Sequence, residues 1–183
     1  MKGRRNRLRQ KKQDGQEKGG KKVTTEEYTR LIHLYMEDIY RVAFSGCRNR
    51  QDAEDITQEV FEALLRDGKR TFLDDEHVKR WLIRVTVNKC KSMWRTPWKR
   101  KVDLSDQEML SAEIEWENEK EEQLFLALRK LPLKYAQIVH LFYFQDMKIK
   151  EIAEVTGLSD TAVTTRLKRA REKLKSYMEE SGL

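Results

Sequence analysis

The sequence predicts an all-α protein: two small helical domains joined by a flexible linker. Three observations carry this. Charged residues make up 38% of the 183 residues, while prolines number two and glycines eight, a balance that favours helices over strands and turns. Apolar residues recur at helical spacing along most of the chain. That period lapses between Val102 and about Glu117, so each half must build its own modest core. The resulting layout is a basic arm over residues 1–22, a first domain over 23–101, an acidic linker over 102–118 and a second domain over 119–183.

The net charge of +7 is unevenly placed. Residues 1–22 hold ten Lys/Arg against Asp14 and Glu17 and are punctuated by glycine. This arm is expected to be disordered, either as a solvated tail or as a non-specific contact to nucleic acid. Lys69 to Lys101 carries eleven basic and three acidic residues, whereas Val102 to Glu122 carries nine acidic residues and one lysine. Two surfaces with different jobs follow from that contrast. Cys47 and Cys90 are far apart and form no Cys-x-x-Cys pair, which reads as two free thiols in a reducing compartment. With only three histidines there is no metal-ligand pattern. No apolar run reaches the length of a membrane span, and no apolar stretch follows the charged N-terminus. A soluble cytoplasmic protein without metal or cofactor is expected.

Thr24-Thr25-Glu26-Glu27 has capping-box spacing, and Tyr28, Leu31, Ile32, Tyr35, Ile39, Val42 and Ala43 then keep a helical period up to about Ser45-Gly46. Asn49 can cap a second helix with Asp52 at its third position, and Gly68 is placed to end it. Along that helix Ala53, Ile56, Val60, Phe61 and Leu64 form an apolar stripe. Asp52, Asp55, Glu59 and Glu62 form an acidic stripe beside it, with Gln58 at its edge. The acidic side is either solvated or free to meet something basic. Lys69 to Asp74 reads as a loop, with Asp74 or Asp75 capping a third helix whose core face includes Val78, Trp81, Leu82 and Val85. On this helix Arg80, Arg84, Lys89, Lys91 and Arg95 can neutralise phosphates, and Asn88 offers a donor and an acceptor to a base edge. Pro97 breaks the pattern.

Helical spacing resumes at Glu119 through Leu124, Phe125, Leu128 and Leu131, and Pro132 marks the next boundary. Tyr135, Ile138, Val139, Phe142 and Tyr143 form another helical face. Lys148 to Val163 then reads as a helix-turn-helix: Ala153 allows close crossing, Gly157 supplies the turn and Ser159 caps the second helix. The exposed face of that second helix carries Thr161, Thr164, Thr165 and Lys168, flanked by Arg166, Arg169 and Arg171. Such a face suits the major groove, the threonines lying near base edges and the cations on phosphates or guanines.

Asp52 to Phe61 resembles the "DAED..QE.F" signature in region 2 of bacterial RNA polymerase sigma factors, in the extracytoplasmic-function (ECF) group. Tyr40, Arg41 and Ala43 match the family's approach to it. Leu131 to Leu174 is similar to sigma region 4, except that Lys148 stands where the family usually has Ser or Thr. The resemblance implies that Asp52, Asp55, Gln58, Glu59 and Glu62 dock on the clamp of the largest polymerase subunit. Trp81 to Asn88 resembles the family's "WLYRIA.N" segment, which reads the minus ten element of promoter DNA. This implies DNA contacts by Phe72, His77, Arg80, Arg84, Asn88, Lys91 and Arg95. Phe72 fits equally well as a loop anchor buried in the core. Thr161, Thr164, Thr165, Arg166, Lys168, Arg169 and Arg171 would read the minus thirty-five element while region 4 rests on the flap of the second-largest subunit.

The linker would thread the polymerase cleft, or act as a plain tether. An anti-sigma factor is a further partner implied by the family. The expected function is promoter-specific initiation with help in duplex melting and no catalysis by this chain. The alternative is an autonomous helix-turn-helix regulator of duplex DNA. An enzyme would need a carboxylate cluster around a metal or a nucleophile with a base, and no such pattern is present.

Overall fold

The computed structural model describes residues 21–66, 71–95 and 119–180. Within them the chain forms seven helices and one short strand pair. The first unit is a three-helix bundle of α1 (Thr25–Cys47), α2 (Arg50–Arg66) and α3 (Asp75–Arg95). The second comprises α4 (Glu119–Lys130), α5 (Leu133–Tyr143), α6 (Ile149–Thr156) and α7 (Asp160–Glu180). Pro97 and the acidic linker 102–118 lie outside the described residues, as does Gly68.

The expected caps start most of these helices. Thr24 Oγ1 accepts from the Glu27 N–H at 3.2 Å, and Asn49 Oδ1 accepts from the Asp52 N–H at 2.9 Å. Asp74, rather than Asp75, caps α3 by accepting from the His77 N–H at 2.7 Å. Ser159 Oγ accepts from the Ala162 N–H at 3.2 Å and so begins α7. At Lys148 half of a capping box survives. The Glu151 carboxylate accepts from the Lys148 N–H at 2.9 Å, but a lysine side chain has no acceptor to return.

The first helix ends at Cys47, close to the expected Ser45-Gly46, and Arg48 takes the left-handed cap position at φ 57°. Gly46 serves close packing, because a Cβ there would lie 2.8 Å from Cys90 Sγ and 2.6 Å from Gln137 Nε2. One backbone feature differs from expectation. The last two residues of the basic arm, Lys21–Lys22 (β1), pair antiparallel with Thr71–Phe72 (β2), so order begins before Thr24.

Leu31, Ile39 and Val42 of α1, Val60 and Leu64 of α2, and Leu82, Ile83 and Val87 of α3 are fully buried. In the second unit Leu131, Ile138, Leu141, Ile152 and Val163 are equally inaccessible. These two sets belong to one contiguous apolar cluster, since α1 packs on α5 and α3 on α6. The units are thus closed against each other.

Candidate nucleic-acid and protein interfaces

The acidic stripe of α2 follows directly from its helical period. Burying Ala53, Ile56, Val60, Phe61 and Leu64 against α1 and α3 turns Asp55, Gln58, Glu59 and Glu62 outward, all exposed, with Asp52 half-buried at the helix start. Most of their contacts are along α2 itself. Asp55 accepts from Gln51 at 3.1 Å, Gln58 donates to Glu62 at 3.0 Å, and Arg66 approaches Glu62 at 3.7 Å. Glu59 is the exception, paired across the bundle with Lys89 of α3. Intrahelical pairs of this kind are weak and easily exchanged for an outside partner.

On α3, His77, Arg80, Arg84, Asn88, Lys91 and Arg95 recur at intervals of three or four and so share one face. All are exposed except Lys91, which is half-buried. Five nitrogen-bearing donors and one amide in a row match a phosphodiester track with a base-reading group near its middle. Arg80 pairs with Glu76 at 3.2 Å and with Glu151 of α6 at 2.7 Å. Lys91 donates to the carbonyl of Thr156. Burial, with Arg166 and Arg95 nearby, pushes the Lys91 ammonium below its usual range.

Phe72 departs from this stripe and corrects one expectation. Its ring is 4% exposed and packs edge-on against His77 and Trp81. A ring buried in that way anchors the loop and offers no free face to a base. The neighbouring Leu73 is 63% exposed, and its N–H donates to His77 Nδ1 at 3.4 Å. Sequence reasoning missed Leu73, since an isolated leucine in an acidic loop has no period to mark it.

On α7, burial of Val163, Leu167 and Ala170 leaves Thr161, Thr164, Thr165 and Lys168 on the outward face. Gly157, at φ 65°, makes the turn that sets α7 against α6. The flanking arginines are partly engaged. Arg169 lies near the Tyr135 hydroxyl and helps lower its pKa, and Arg171 Nε donates to the Tyr143 hydroxyl at 2.9 Å. Arg166 is half-buried beside Lys91. The structure therefore gathers the threonines and Lys168 on one face, with the three arginines along its margins.

Comparison with known proteins places both units. The family model for Sigma-70 region 2 matches residues 31–100, and that for Sigma-70, region 4 matches residues 121–174. RNA polymerase sigma factor SigV of Bacillus subtilis is 34% identical over 165 residues, which span 89% of this chain and 98% of that protein. The chain belongs to the ECF group of sigma-70 RNA polymerase sigma factors. The sigma factor NccH of Alcaligenes xylosoxydans xylosoxydans is 31% identical, with 84% of this chain and 88% of that protein covered. Among solved structures, the fold is shared with sigma factor RpoE in complex with the anti-sigma factor NepR from Bartonella quintana. That match has a TM-score of 0.63 at 18% identity and covers 85% of this sigma factor and 98% of that chain. CnrH in complex with the cytosolic domain of CnrY is also similar, with a TM-score of 0.56 at 23% identity, covering 86% and 90% of the two chains. As a sigma factor the chain binds core RNA polymerase and promoter DNA and directs transcription initiation. Among the described residues no group of His, Cys, Asp or Glu is arranged to hold a metal, and no helix is long and apolar enough to cross a membrane.

Proposed function

We propose that the three stripes divide the work of this sigma factor. The exposed acidic stripe of α2 docks on the clamp of the largest polymerase subunit. The α3 stripe follows the minus ten element, with Asn88 toward a base edge and Arg80, Arg84, Lys91 and Arg95 on phosphates. Thr161, Thr164, Thr165 and Lys168 of α7 enter the major groove at the minus thirty-five element while the second unit rests on the flap. Leu73 and His77, at the rim of the anchored loop, take the role of flanking an unpaired base.

No bond is made or broken by this chain. Capture of unpaired bases offsets an unstacking cost of a few kcal/mol per base. Its site of action is the bacterial cytoplasm, where the polymerase and promoter are. An anti-sigma factor is a further partner, in keeping with the complex in which RpoE was solved with the anti-sigma factor NepR.

The observation that carries this reading is the pairing, within one bundle, of an outward acidic face on α2 with an outward basic face on α3. An autonomous duplex-binding regulator would have a use for α7 alone. The test is binding to core RNA polymerase of the wild type and of an Asp55→Arg, Glu62→Arg variant. Their hydrogen bonds and ion pairs among the described residues run along their own helix, so reversal leaves the bundle intact. Glu59 is spared because its reversal would also repel Lys89. Loss of binding in a variant with unchanged circular dichroism supports the docking face. Retained binding refutes it.

A further inference from the structure

The first described residues are tied to the loop that precedes α3. Lys21 pairs with Phe72 and Lys22 with Thr71 in an antiparallel register. Val23 follows, partly buried against the core, and lines a cavity together with Leu31, Phe72 and Val78. A chain end keeps a fixed position only when it is tied down. Here a backbone ladder and an apolar side chain both do so.

What this anchor holds is charge. Residues 1–20, which lie outside the described residues, contain eight Lys/Arg against Asp14 and Glu17. They contain no aromatic residue, so stacking on bases is closed to them. Their large apolar side chains are Met1 and Leu8 alone, too few to seat a helix face in a lipid surface. Cations without those features suit a phosphodiester backbone, which they bind by releasing its condensed counterions.

The anchor lies where the α3 stripe begins. Phe72, the register partner of Lys21, has its ring centroid 5.5 Å from that of His77, the first member of the stripe. From His77 to Arg95 the stripe runs for about 27 Å at the rise of an α-helix. The arm therefore joins one end of a track that is already cationic. Carboxylates around the anchor are occupied and do not compete for the arm. Asp75 and Glu27 share Arg30, at 2.6 and 2.7 Å, and Glu76 pairs with Arg80 at 3.2 Å. Asp74 accepts from the His77 N–H. In the reading above the acidic stripe of α2 is taken up by polymerase, which leaves promoter phosphates as the polyanion for the arm.

We propose that the Lys21–Lys22 strand fixes the basic arm beside the loop before α3, and that the arm's cations bind phosphates of promoter DNA adjoining the minus ten element. The contact is independent of sequence, so it strengthens promoter capture without reading bases. The proposal rests on the reading of α3 as the minus ten helix and extends that surface beyond the helix itself.

Two experiments test it with the full chain assembled on core polymerase. In the first, the eight Lys/Arg of residues 1–20 are changed to Gln. Binding of the holoenzyme to a promoter selected from a random duplex library should weaken about tenfold or more at about 0.1 M salt. The slope of log affinity against log salt should fall by at least about two, while core polymerase binding is unchanged. In the second, Gly15→Cys carries an iron chelate that cuts nearby DNA. Cys47 and Cys90 are both buried, so the label goes to position 15. Six residues separate that position from Lys21, a span of at most about 20 Å. Scission should centre on the minus ten element, mapped from the transcription start. The same label on Ser92→Cys, exposed on α3, reports where the helix itself lies.

An unchanged salt slope with the neutral arm, or loss of core polymerase binding in its place, overturns the arm contact. So does scission from position 15 away from the minus ten element while position 92 cuts there. Failure of the label at position 92 to cut at the minus ten element removes instead the reading of α3 beneath the proposal.

Discussion

Phe72 and Trp81 meet edge to face, their ring centroids 5.9 Å apart, and this contact fixes the loop before α3 to the helix that follows. Phe72 also belongs to β2, whose partner strand is the end of the basic arm. The loop is thereby held from two sides, which leaves Leu73 and His77 presented on a rigid base. Truncating a buried phenylalanine costs about 3 kcal/mol or more. Phe72→Ala should lower unfolding stability by about that amount in urea titration followed by circular dichroism. Leu73→Ser should leave stability within about 0.5 kcal/mol, yet reduce duplex opening at a promoter by permanganate footprinting. Equal loss of stability in the two variants would mean that the burial assignments are wrong.

A second prediction concerns Gly46. Alanine in mid-helix ordinarily adds about 1 kcal/mol of stability over glycine. Here the new methyl would sit 2.8 Å from Cys90 Sγ and 3.1 Å from its Cβ. Cys90 is buried in the core, with its thiol pushed up to about 12 by burial, and has no space to retreat. Overpacking of this kind costs about 1–3 kcal/mol, so Gly46→Ala should destabilise on balance. Adding Cys90→Ala removes the sulfur from the clash and leaves Gln137 Nε2, the end of a flexible side chain, at 2.6 Å, so the Gly46→Ala change in that background should cost less. A double-mutant cycle with no coupling energy would contradict this packing.

Helix positions were legible because apolar residues on all seven segments keep the period that burial requires. The start signals Thr24, Asn49, Asp74 and Ser159 were legible because N-caps are local chemistry. The close-packing role of Gly46 left no local trace, since only the approach of α3 and α5 explains it. Phe72 carried two readings that spacing alone could not separate, since its burial depends on Trp81, which lies nine positions away. The closed arrangement left least trace. Its polar contacts include those from Arg48 and Lys91 to backbone carbonyls, which every residue possesses. The outward residues of α2, α3 and α7 could be named from sequence once the buried faces were known, but not that Arg80 and Lys91 would be occupied by α6.

His140 supplies a pH dependence. Burial, with Arg41 adding to it and Asp38 partly opposing, depresses its imidazole to about 4. Above its unfolded value near 6.5 the ring is neutral in both states and its contribution to stability is fully present. As pH falls from about 6.5 toward 4 the unfolded chain takes up a proton that the native site resists, so stability declines by up to about 1.4 kcal/mol per unit. Below about 4 the loss is complete. Replacing His140 with Gln should flatten the urea midpoint between pH 6.5 and 5, a range that precedes most carboxylate titration. An unchanged slope in that variant would show that other groups set it.

The last prediction separates recognition from stability on α7. Lys168 is exposed, and its nearest described acid, Glu172, is 4.0 Å away. Arg166 is half-buried with no described acid paired to it, its neighbours being cations. Neither side chain supports the core, so Arg166→Ala with Lys168→Ala should change unfolding stability by no more than about 0.5 kcal/mol. Core polymerase binding should persist, because the acidic stripe is on α2. Binding of the holoenzyme to a promoter selected from a random duplex library should weaken, and each lost phosphate contact should reduce the salt slope by about one. Weaker binding with an unaltered slope would assign these residues to base edges. Loss of core polymerase binding would instead move the polymerase interface onto α7 and reverse the division of surfaces between the two units.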